Sequence, residues 1–136
     1  MKNKENFIKK LRSSGLRPTR QRIEICKALY NREKTFHFTI NDLAKILKRN
    51  SKEKISLATI YNTICSFKKK KYLKEISINT NKSYFDTNVS SHHHFFDERN
   101  DQLIDLKKSD VGKVKIKRKI PGKKIKSIEV LVRIGD

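Results

Sequence analysis

Residues 55–86 read ISLATIYNTICSFKKKKYLKEISINTNKSYFD, and the hydrophobic period changes partway along. From Ser56 to Phe67 it is helical. Ser56 suits an N-cap, and Leu57, Ile60, Tyr61, Ile64 and Phe67 are expected to face inward. Thr59, Asn62, Thr63 and Ser66 then form a polar face at i, i+3, i+4, i+7. Short polar side chains of this kind can read base edges: Asn pairs with adenine, and a Thr methyl packs on a thymine methyl. Lys68 to Lys71 follow as phosphate-gripping cations. After them, Lys74–Ile78 and Ser83–Asp86 read as strands joined by Asn79–Lys82, a hairpin signal. A solvated amphipathic helix is the plainer reading of the helix taken alone.

Upstream, Phe7, Ile8 and Leu11 predict an opening helix that stops near Gly15. Pro18 suits the first turn of a second helix carrying Ile23, Cys26, Leu29 and Tyr30 on one face. Thr39 is placed to cap a third, with Ile40, Leu43, Ala44 and Leu47 at helical spacing. Helices followed by a polar recognition-type helix and a hairpin make a winged helix-turn-helix.

Downstream, His94–Asp97 and Gln102–Leu106 read as short strands, and Ile125–Ile134 as a longer alternating one. Val111–Ile120 stays open between helix and strand, since Val114, Ile116 and Ile120 fit both patterns poorly. The fold class expected is α+β. Residues 1–87 would form a winged-helix DNA-binding domain, and residues 88–136 a small α/β dimerisation and metal-sensing domain. With only 35% hydrophobic residues in 136, so small a second lobe is expected to cover its sheet by self-association.

The net charge of +20 suits a polyanionic partner, although free use of lysine by an AT-rich genome would produce the same total. No stretch approaches the roughly 20 apolar residues of a membrane span, and the N-terminus lacks a signal peptide's apolar run. The expected location is the cytoplasm. There a disulfide between the two cysteines, Cys26 and Cys65, is disfavoured. The stretch SYFDTNVSSHHHFFDERNDQLIDL, residues 83–106, is rich in metal-ligand types. On a strand, His92 and His94 share a face and His93 points away. A structural metal or a polar surface cluster is the plainer alternative.

With these motifs placed, the chain resembles the ferric uptake regulator superfamily. The resemblance rests on Gly15-Leu16-Arg17-Pro18-Thr19-Arg20-Gln21-Arg22, His37-Phe38-Thr39-Ile40-Asn41-Asp42-Leu43, Ile55–Thr63 and the histidine stretch. Tyr61-Asn62-Thr63, together with Tyr84-Phe85-Asp86-Thr87-Asn88 leading into His92–Phe96, is most similar to the iron response regulator branch. This implies a dimeric transcription factor on AT-rich palindromic operators that responds to iron or haem status. It also implies a regulatory metal held by His37, Asp86, His92, His94 and Asp105, bridging the two lobes. Such N/O ligands suit Fe²⁺, Mn²⁺ or Zn²⁺ alike. The Cys-Pro haem motif of some iron response regulators is absent, which leaves haem to His92, His93 and His94, with His93 otherwise spare. The family's four-cysteine zinc is also absent, and Ile128 stands where its second site has a histidine.

The DNA contacts expected are Thr59, Tyr61, Asn62 and Thr63 to bases, and Arg17, Arg20, Lys68 and Lys69 to phosphates. The same ligand set is also similar to that of peroxide-sensing relatives, the nearest competing function. A basic RNA- or ribosome-associated module using Lys107–Lys126 is the rival from another class. No nucleophile–base pair or phosphate loop points to an enzyme.

Overall fold

The computed structural model describes residues 2–136, which form two compact units, the first ending at Val89 and the second spanning Ser90–Asp136. The boundary lies two residues beyond the one expected.

In the first unit α1 (Lys2–Ser13) is followed by α2 (Arg20–Tyr30), β1 (His37–Phe38), α3 (Ile40–Asn50), α4 (Leu57–Lys69), β2 (Lys74–Asn79) and β3 (Lys82–Asp86). Gly15 ends α1 by turning left-handed at φ +78°. This lets Leu16 N–H donate to the Leu11 carbonyl at 2.9 Å, satisfying a carbonyl left open at the helix end. Pro18 lies outside α2, contrary to expectation. Thr19 is the cap, its hydroxyl accepting from Arg22 N–H. Thr39 and Asp42 form a reciprocal capping box on α3, so two otherwise unsatisfied backbone donors are bonded.

Helix α4 differs from its predicted facing. Ile60, Thr63, Ile64 and Phe67 are buried, whereas Leu57 and Tyr61 are exposed. The reason is angular: Ile60, Thr63, Ile64 and Phe67 make one i, i+3, i+4, i+7 stripe, and Tyr61 lies one residue, about 100°, off it. Leu57 occupies the first turn, before the stripe meets the core. That core gathers Leu11, Ile25, Leu29, Phe38, Leu43, Ile60, Ile64 and Phe67.

The predicted hairpin is present, with β2 and β3 antiparallel. An additional strand with no sequence signal, β1, pairs with the other edge of β3 and gives the order β1-β3-β2. Its register sets His37 opposite Asp86 and Phe38 opposite Phe85. Two residues are too few for an alternation to show.

The second unit holds β4 (His93–Asp97), β5 (Gln102–Leu106), a 3₁₀ turn (Lys108–Asp110) and β6 (Leu131–Ile134). Their order is β5-β4-β6, with β5 antiparallel and β6 parallel to β4. The predicted strand Ile125–Ile134 is therefore only four residues long. His94 pairs with Leu131 and β4 starts at His93, so chain before Val130 has run past the end of its partner. Residues 111–130 contain neither helix nor strand, which resolves the ambiguous segment as irregular.

Candidate metal centre and nucleic-acid interface

The start of β4 delivers the histidines. His94 is the register partner of Asp105 on β5, so the two side chains share a face of the sheet. His92 lies two residues earlier and projects to the same side. Its Nε2 stands 3.4 Å from Asp105 Oδ1, and His94 Nε2 stands 3.2 Å from the same oxygen. The two rings are 4.4 Å apart. All three histidines are buried, while Asp105 is exposed.

The chemistry of this convergence favours a cation. His92 Nδ1 lies 2.7 Å from the Ser90 carbonyl, which can only accept, so that nitrogen donates. In the neutral ring Nε2 is then a lone pair aimed at a carboxylate oxygen, an arrangement that repels unless a proton or metal ion lies between. The backbone carbonyl does what outer partners of metal-bound histidines do, fixing tautomer and ring orientation. Ligand atoms about 2.1 Å from a tetrahedral ion stand roughly 3.4 Å apart, and the two measured spacings fall close to that.

His93 faces the other way and is engaged. Its Nδ1 accepts the Val130 N–H at 3.0 Å, while His94 N–H donates to the Val130 carbonyl at 3.1 Å. Val130 is thus held through both its N–H and its carbonyl by adjacent histidines, at the point where the irregular chain enters β6. Neither spare nor freely available to haem, His93 ties the last strand to the sheet.

His37 and Asp86, the other expected ligands, belong to the first unit, where they are neighbours across β1 and β3. Asp86 is fully buried and accepts from Asn88 N–H at 2.9 Å.

The expected DNA contacts divide. Arg17, Arg20, Asn62 and Lys69 are exposed, and Tyr61 is 60% exposed. Thr59 is half-buried near the cap, its hydroxyl 2.9 Å from that of Ser56. Thr63 does not qualify as a base contact. It is 0% exposed, and its hydroxyl donates to the Thr59 carbonyl at 2.8 Å. Lys68 is exposed but paired with Glu75 of β2, so a phosphate must compete for it. The outward stripe of α4 is Leu57, Ala58, Tyr61 and Asn62, less polar than the sequence pattern indicated. Leu57 was expected inward and Ala58 was not singled out, because apolar residues on a helix are read as core.

A family model described as the ferric uptake regulator family matches residues 13–133. The chain is 30% identical over 110 residues to the peroxide-responsive repressor PerR of Staphylococcus aureus strain Mu50, spanning 81% of this chain and 72% of that protein. Among solved structures it is similar to the ferric uptake regulator from Pseudomonas aeruginosa with manganese, at a TM-score of 0.69 and 18% identity over 96% of this chain and 97% of that one. The Helicobacter pylori ferric uptake regulator Fur, described as having three functional metal binding sites, aligns at a TM-score of 0.67 and 14% identity, covering 98% and 91%. At these identities the structural likenesses speak for the fold.

Proposed function

The chain belongs to the ferric uptake regulator family, and from that premise we propose that it is a metal-responsive, DNA-binding transcriptional regulator acting as a dimer in the cytoplasm. The observation that carries this reading is the convergence of His92 Nε2 and His94 Nε2 on Asp105 Oδ1 in a chain whose α4 presents Tyr61 and Asn62 to solvent. The proposed ligand set is His37, Asp86, His92, His94 and Asp105, with His37 and Asp86 included on the sequence resemblance. Fe²⁺, Mn²⁺ and Zn²⁺ all suit its nitrogen and oxygen donors. The DNA contacts proposed are Tyr61, Asn62 and Thr59 to bases, and Arg17, Arg20 and Lys69 to phosphates. Exposed Ile104 and Ile134 on the second unit's sheet support burial against a second copy.

Two inputs compete. Tyr61-Asn62-Thr63 and the Tyr84–Phe96 stretch support iron-status sensing. Similarity to a peroxide-responsive repressor supports peroxide sensing, in which bound Fe²⁺ would direct oxidation of a ligand histidine. Haem has the weaker case, because all three imidazoles are buried and His93 is bonded to Val130.

The test is duplex-DNA binding by protein stripped with chelator and then loaded with Fe²⁺, Mn²⁺ or Zn²⁺. Loading should change affinity at least tenfold, about 1.4 kcal/mol, and His92→Ala with His94→Ala should abolish the change. Equal affinity in stripped and loaded protein refutes the regulator. Peroxide sensing predicts that hydrogen peroxide releases DNA from the Fe²⁺ form only and leaves an added oxygen on a ligand histidine.

A further inference from the structure

Charge in the second unit is segregated. Residues 107–126 carry ten Lys or Arg against Asp110 alone. The rest of the unit has Arg99 and Arg133 against Asp97, Glu98, Asp101, Asp105, Glu129 and Asp136. Lysine-rich codon usage would spread cations over the whole unit, so it does not account for this division. From Lys113 to Lys126 every side chain is exposed, and among the described residues none of these lysines is held in an ion pair. A dense, unneutralised run repels itself and gains most from a polyanion.

We propose that residues 107–126 form a second contact with duplex DNA, gripping the sugar-phosphate backbone independently of sequence and separately from the α4 face. The inference rests on the DNA-binding reading above for its partner. Two features select duplex backbone over other anionic surfaces. The stretch contains no aromatic residue, so it offers no platform on which unpaired RNA bases could stack. It forms no helix beyond the 3₁₀ turn at Lys108–Asp110, so it lacks the amphipathic helix that seats a segment in a lipid interface. An irregular chain of exposed cations can follow phosphates without base readout, and so adds affinity and salt dependence but no sequence preference.

The test compares the 136-residue chain with its Lys113→Gln, Lys115→Gln, Lys117→Gln, Lys119→Gln variant. Binding to a mixed-sequence duplex is measured by fluorescence anisotropy across a salt series. The variant's log–log salt slope should be shallower by roughly 0.9 for each phosphate it no longer neutralises. The matching Lys→Arg variant should keep the wild-type slope, and equal circular dichroism and equal urea midpoints confirm folding. An unchanged slope in the Gln variant, alongside wild-type DNA binding, overturns this second grip and leaves the functional reading intact. No duplex binding by the wild type overturns both. A variant that keeps the DNA slope but loses binding to single-stranded RNA or to phosphatidylserine vesicles reassigns the stretch and likewise overturns the proposal.

Discussion

The two units reach a defined structure by different means. The first buries large apolar side chains, among them Phe38, Phe67, Leu11, Ile25, Leu29, Leu43, Ile60 and Ile64, all below 2% exposure. The second buries only Phe96, Leu103 and Leu106 as hydrophobics among the described residues, beside the three histidines. Each fully buried apolar side chain contributes about 1.5–3 kcal/mol, so the first unit is held by its core. The second depends more on hydrogen bonds to its histidines and, in the proposed function, on a bound ion. A unit of that kind suits a sensor, because an ion can supply a large share of a small stability.

The sharpest way to break this contrast is to damage each unit by its own means. Phe67→Ala removes a ring packed 6.4 Å from Tyr30 and 6.0 Å from Tyr72, centroid to centroid, and should cost about 3–5 kcal/mol. Metal addition should not restore the helical unit's urea midpoint. In the wild type, Zn²⁺ or Mn²⁺ at one hundred times its dissociation constant should stabilise the second unit by about 2.7 kcal/mol, an increment absent from His92→Ala with His94→Ala. The proposed ligation through His37 and Asp86 allows the Phe67→Ala helical unit a partial gain from metal; full restoration of its wild-type midpoint by metal would show that the units are not energetically distinct.

Alkaline titration sharpens the first side of the comparison. Burial pushes the Cys26 thiol up from 9.0 to about 12, opposed by nearby Lys10. Burial also raises the Tyr30 hydroxyl and lowers the Lys10 ammonium, whose Nζ sits 3.8 Å from the Tyr30 ring centre. For Cys26 the folded pKa lies above the unfolded one. Its contribution is therefore fully present below pH 9 and is lost as pH rises toward about 12. The loss is at most about 1.4 kcal/mol per pH unit, and Lys10, shifted down, runs the other way. Urea midpoints across that window should fall less steeply for Cys26→Ala than for the wild type; parallel curves would show that the thiol is not buried in solution.

The first unit was the more legible in the sequence, for the same reason that it is the better packed. Long periodic helices with Thr39 and Ser56 at their starts leave a strong pattern, and the hairpin emerged to within one residue at each strand. Errors arose where period alone had to assign facing: Tyr61 moved outward and Thr63 inward, because a helix stripe about 100° wide admits neighbouring choices. In the second unit, the alternation of His92 and His94 was enough to show that they share a side and that His93 does not. Nothing local, however, could show that Val130, 37 positions along, would hold the His93 ring. The irregular 111–130 segment left no period to read.

That long-range bond gives the smallest effect. His93→Ala removes the acceptor for Val130 N–H and should cost about 1 kcal/mol, the net value of such a bond. Because Val130 is the residue before β6, the loss should be local, seen as roughly fivefold faster hydrogen exchange at Val130 and along Leu131–Ile134. Metal stoichiometry at His92, His94 and Asp105 should be unchanged. His93→Asn places an amide oxygen close to where Nδ1 stood and should restore protection, although it removes the imidazole. If the ring instead serves as a haem ligand, Asn would restore β6 protection yet abolish a haem absorption band present in the wild type. If neither variant alters exchange in β6, the bond to Val130 contributes nothing to the sheet, and the second unit's reliance on its histidines fails at its most specific point.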